Sequence, residues 1–175
     1  MTPPGSAVAV TNALPWWTAF GGTSQLSTIF YDVTSAFTEV QLWDTNSALP
    51  IIGGTFSVGL LGGSINQAGV VPTNAMSLMF GAYFIGSVHA LDVSFAGQTL
   101  PFVPLSSNPN YTVSGADIGG FAGQAGSLAF SGTGFMLDDI EFSSQPIPEP
   151  SSAVFGLLSL GGLLLSTLRL NVREI

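Results

Sequence analysis

Cysteine is absent from the 175 residues, and so is lysine. The first absence removes disulfides and thiolate metal sites, so a folded domain here depends on packing or on a bound ion. Arginine occurs only at Arg169 and Arg173. The part before Glu149 therefore lacks any Lys or Arg of its own to partner its eight carboxylates, Asp32, Glu39, Asp44, Asp92, Asp117, Asp138, Asp139 and Glu141. Neutralising phosphates needs basic side chains, which excludes nucleic acid as a partner and disfavours anionic membrane surfaces and phosphorylated substrates. His89 is the only histidine, so a nucleophilic triad would have to be built on it, and a structural role is the expectation. Glycoside hydrolysis needs two carboxylates across a pocket, and no pair is marked out by spacing. The chain is not expected to be an enzyme.

What the chain does have is punctuation and alternation. It carries 22 Gly and 11 Pro, and short runs alternate apolar with polar residues. Phe56, Val58 and Leu60 form one such run, which the pair Gly62-Gly63 is expected to end. Leu78, Phe80 and Phe84 form the next, and Leu91, Val93 and Phe95 another, with Ala96-Gly97 as the hairpin turn after it. Leu128 with Phe130 and the segment from Phe135 to Phe142 close the series. About seven or eight strands at this spacing predict an all-β, antiparallel sandwich. Asp117 to Gly123 is allowed one helical turn at most.

The C-terminal end is different. After Pro148-Glu149-Pro150 the chain runs from Ala153 to Leu170 with no charge except Arg169. Its apolar part would rise roughly 25 Å as a helix, near the lower limit for crossing a bilayer. Arginines behind it predict a cytoplasmic tail. Pro148-Glu149-Pro150-Ser151-Ser152, a Leu- and Gly-rich apolar helix and an arginine tail together resemble the PEP-CTERM sorting signal of bacterial exported proteins. The resemblance covers the last 30 or so residues; the two arginines are more spread out than the usual basic cluster. It implies that an exosortase reads the signal in the membrane and removes it. The resulting organisation is an exported domain over 1–143, a Pro/Ser linker over 144–152, a transmembrane helix over 153–170 and a tail over 171–175.

Two shorter stretches resemble jelly-roll domains, including carbohydrate-binding modules and galactose-binding-like sandwiches. Gly134-Phe-Met-Leu-Asp-Asp-Ile-Glu-Phe142 is similar to their last strand, and Leu14-Pro15-Trp16-Trp17 to an early Leu-Pro-Gly-Trp segment, with Trp16 where glycine is usual. The resemblance implies a jelly-roll-like sandwich. Its first strand, and the export signal that the opening residues lack, are expected upstream of Met1.

Strand alternation predicts Met136, Asp138, Ile140 and Phe142 on one face. A carboxylate on that apolar face needs a partner. The jelly-roll resemblance implies a structural calcium ion on Asp138, and an Asp capping backbone N–H groups is the alternative. Trp17, Tyr83 and Tyr111 are candidate platforms for sugar rings, because aromatic faces suit neutral ligands in a site without basic residues. For Trp16 and Trp43 core packing is the favoured expectation. The function expected is structural or adhesive, at the cell surface or in an extracellular polymer layer. A non-catalytic carbohydrate-binding module is the alternative, with exosortase, the membrane and extracellular polysaccharide as the implied partners.

Overall fold

The computed structural model describes residues 4–32, 39–45, 47 and 49–148. Within them, the strands are β1 (Ala7–Ala9), β2 (Thr18–Gly21), β3 (Ser24–Leu26), β4 (Thr28–Tyr31), β5 (Val40–Asp44) and β6 (Phe56–Val70). They continue with β7 (Ser77–Phe84), β8 (Ala90–Phe95), β9 (Gln98–Thr99), β10 (Phe102–Ser107), β11 (Thr112–Asp117) and β12 (Ala125–Ser143). Among the described residues helix is confined to α1 (Val10–Ala13) and a single 3-10 turn at Gly119–Phe121, the latter inside the stretch that the sequence allows one turn. The expected transmembrane helix and tail lie outside the described residues. Among the described residues no helix is long and apolar enough to cross a membrane.

Two strands dominate. β6 is 15 residues long and β12 is 19, and they pair antiparallel from Ala125–Val70 to Leu137–Val58. The expectation that Gly62-Gly63 ends a strand is therefore corrected, and with it the expectation of short, separate runs. The reason is a double bulge. Gly62 and Gly134 are each skipped in the pairing, at φ 117 and 73, values that glycine adopts without steric cost. The chain bends at these glycines and carries on as strand.

The bend produces two layers from one continuous hydrogen-bonded sheet. One layer runs β1-β4-β5-β6-β12-β7-β11-β10. The other uses the far halves of the same two long strands: β2 and β3 join β6 on one side, and β8 and β9 join β12 on the other. The pairing is mixed, since β4 and β5 run parallel, so the expectation of a wholly antiparallel sandwich is corrected at that pair. A parallel neighbour cannot be reached by a tight hairpin. The β8–β9 hairpin turns at Ala96-Gly97, both at positive φ, as the two-residue turn requires.

The inner faces of the layers meet in one core. Ile29, Leu60, Leu78, Phe80, Ile118 and Leu137 come from the first layer, and Ile65, Val93, Phe95 and Phe130 from the second; all are fully buried. Phe80 and Phe130 touch across the interface edge to face, with ring centroids 5.3 Å apart. A second, smaller cluster lies on the outer face of the first layer. Trp43, Ile52 and Met136 are buried there, with Tyr83, Tyr111, Leu49, Ile51 and Ile85 packed around them. The β5–β6 connection supplies its cover through Ile51 and Ile52. The result is a β-rich, sandwich-like fold.

Candidate functional site

A concave surface lies where the α1–β2 connection meets the bulged end of β12. The local geometry on the first side starts from proline. Trp17 N–H donates to the Leu14 carbonyl at 3.0 Å, closing a four-residue turn over Leu14-Pro15-Trp16-Trp17. Pro15 sits second and Trp16 third, at φ 72, the arrangement of a type II turn. That third position ordinarily takes glycine, because a Cβ is strained at positive φ. Trp16 is nevertheless there, with 87% of its surface exposed. The expectation that Trp16 packs in the core is corrected: the turn projects it outward. Trp17, by contrast, is half-buried and packs on the core, 6.2 Å from Phe130 between ring centroids.

The opposite wall is the β12 bulge. Asp138 pairs with Gly81 and Glu141 with Met79, so Asp139 and Ile140 together face one residue of β7. Asp139 adopts φ 50, which Asp tolerates better than most residues. The extra residue reverses the alternation beyond it. Ile140 packs with the main core, on the side of Leu137, instead of sharing the face of Met136 and Asp138 as strict alternation predicts. Phe142 pairs with Leu78 on that same core-facing side. Between the Trp16–Trp17 turn and this bulge is a cleft of about 420 Å³, floored by Val58, Ile65 and Leu137 and edged by Gln67 and Asp139. The turn also borders a hollow of about 390 Å³, lined by Thr11, Pro15, Trp16, Trp17 and Thr18.

Asp138 is held by three donors. Its Oδ2 accepts from Ser57 Oγ at 2.9 Å and from Gly53 N–H at 3.3 Å, and its Oδ1 from Asp139 N–H at 2.9 Å. Burial pushes the Asp138 carboxyl above the ordinary Asp value, and the adjacent Asp139 adds to this, while the hydrogen bonds oppose it. Among the described residues no group of three or more His, Asp or Glu side chains is placed to hold a metal ion. A second acidic contact lies in the same layer, at the ends of β4 and β5. Asp44 N–H donates to Asp32 Oδ1 at 3.1 Å, and Asp32 is raised first by burial and then by the neighbouring Asp44 carboxyl. Asp44 is buried, which its position in an alternating run does not announce.

The remaining sequence candidates are dispersed. Tyr83 belongs to the outer cluster beneath the β5–β6 connection. Tyr111 belongs to the same cluster and also borders a hollow of about 340 Å³ with Met79, Asp139 and Glu141. His89 is exposed and stacks on Phe84, centroids 4.5 Å apart. Pro148 is exposed, and Glu149, Pro150, Arg169 and Arg173 lie outside the described residues. Trp17 and Asp138 both border one cleft, but the Asp138 carboxylate is bonded to Ser57 and Gly53 on the face of the sheet that holds the two tyrosines. Sequence reasoning weighed Trp16 and favoured the core for it, and it missed Gln67 as a cleft residue. The available signal was the tryptophan standing where a Leu-Pro-Gly-Trp segment has glycine.

Comparison with protein-family models, with curated proteins and with solved structures finds no match to this chain.

Proposed function

We propose that the chain is an exported bacterial surface or extracellular-matrix protein, a jelly-roll-like head with a structural or adhesive role, delivered by a C-terminal PEP-CTERM signal. The observation that carries this is the way the head closes. The Ser143 carbonyl accepts Met76 N–H at 2.8 Å and the Gln145 carbonyl accepts Ser77 Oγ at 2.7 Å, after which Pro148 is exposed. These hydrogen bonds fall just ahead of Pro148-Glu149-Pro150, so cleavage at that motif would leave the sheet of the head complete. Proline restricts the residue before it to extended backbone, which keeps a cleavage region open to an enzyme at the membrane surface. A head without lysine or arginine in 1–148 suits exposure outside the cell, where it offers no basic site for cleavage.

Expression in a host with the matching exosortase tests the reading. Mass spectrometry of the extracellular fraction should find a C-terminus close to Pro148 to Ser152. Deleting Pro148-Glu149-Pro150 should leave the full chain in the membrane. Recovery of extracellular protein ending at Ile175 would overturn the processing step.

A further inference from the structure

We propose that the cleft between the Leu14–Trp17 turn and the Asp138–Ile140 bulge binds an uncharged sugar ring, with Trp16 as the stacking platform. The inference concerns the head alone and stands whether or not the C-terminal signal is processed.

Two independent features at Trp16 point to a binding role. Its backbone is at φ 72 in a turn position suited to glycine, and its side chain is 87% exposed. Neither feature favours folding: positive φ strains a residue with a Cβ, and an exposed indole gains nothing from burial. Strain that the fold does not require is found at sites that contact ligands. The second wall of the same cleft carries another non-glycine residue at positive φ, Asp139. Four such residues occur among the described ones, and two of them border this cleft.

The chemistry of the walls selects the ligand. The Trp16 ring offers a flat apolar face for the C–H side of a pyranose. The Gln67 amide at the cleft both donates and accepts hydrogen bonds, whereas the Asp139 carboxylate lies against Gly53. Trp17, fixed against Phe130, gives the platform a rigid base. No lysine or arginine exists in residues 1–148 to balance a uronate, sulfate or phosphate, so anionic glycans and anionic lipid headgroups are repelled. A cleft of about 420 Å³ accommodates a sugar ring or two and is open enough for a polymer to pass through.

The test is affinity electrophoresis of the full chain in detergent, through gels containing glucan, mannan, xylan or galactan, with polygalacturonate as the anionic comparison. At least one neutral polysaccharide should retard the protein, with little dependence on salt, and polygalacturonate should not. Trp16→Gly should weaken the retardation by about tenfold or more while melting no lower than the parent, because glycine suits φ 72. Trp16→Asn, another residue that tolerates this backbone, should behave alike and serves if the glycine variant expresses poorly. Absence of retardation by every neutral polysaccharide would overturn the proposal. So would retardation that survives both Trp16 substitutions, a clear fall in melting temperature in both, or binding seen only with polygalacturonate or with phosphatidylglycerol vesicles.

Discussion

Gln41 lies on β5 with none of its surface exposed, and neither Nε2 nor Oε1 has a hydrogen-bond partner among the described residues. Burying an unpartnered amide costs about 1–3 kcal/mol by mutational measures. Gln41→Met keeps the length of the side chain and removes the polar atoms. It should therefore raise the melting temperature by several degrees, read by circular dichroism. Asp138 yields a pH prediction. Its carboxyl is raised in the fold, so the folded state takes up a proton before the unfolded chain does. The destabilising contribution is present at neutral pH and fades as pH falls through the range just above the ordinary value of 3.8. Asp32 shifts in the same direction. Melting temperature should thus rise between pH 7 and about 4.5, and Asp138→Asn should show a smaller rise; a fall on acidification in the parent would contradict the assignment.

At the scale of the element, β6 and β12 decide the architecture because they can approach other backbone at glycine. Gly63 pairs with Gly132 next to the bend. A Cβ on Gly63 would lie 2.6 Å from the Glu39 carbonyl oxygen and 2.7 Å from that of Phe20. A Cβ on Gly132 would collide with the Ala90 carbonyl oxygen. Backbone oxygens in a paired sheet cannot move aside as a side-chain tip can. Gly63→Ala and Gly132→Ala should each destabilise the head by about 1–3 kcal/mol in urea unfolding. Gly69, on the same strand β6, supplies the control, because a Cβ there would meet nothing within 4 Å. Gly69→Ala should leave stability unchanged or slightly improved.

At the scale of the whole molecule, residues 1–148 carry eight carboxylates and no Lys or Arg. Their mutual repulsion acts against the compact state and is not relieved by ion pairs with such residues. Raising salt from about 0.01 M to 0.15 M shortens the screening length from about 30 Å to about 8 Å, so it should raise the melting temperature at pH 7. The gain should shrink at mildly acid pH, where the carboxylates begin to neutralise. A head held together by attractive surface ion pairs would respond to salt in the opposite sense. The core is the counterweight: Phe130 touches Phe80 and Trp17 at the junction of both layers. Phe130→Ala should cost about 3–5 kcal/mol, the range for a buried phenylalanine, and should loosen the floor that supports Trp17.

Composition and alternation alone determined that the head is rich in β-strand, that Ala96-Gly97 turns a hairpin and that residues 1–148 carry no lysine or arginine. These are local or additive properties: strand period, turn preference and charge all act over a few residues or by simple count. The sandwich resemblance was legible in two short segments, and Trp17 and Asp138 were legible as candidates. Three matters were decided only by the tertiary structure. Gly62 reads as a strand end until Gly134 is set beside it as a matching bulge. Ile140 reads as facing with Asp138 until the bulge against β7 turns it toward the core. Trp16 reads as core until the turn from Leu14 to Trp17 places it over β12, a strand far away in the chain. Each depends on which backbone lies opposite, and that pairing is settled by burying one shared core, a contest no single segment can decide by its own preferences.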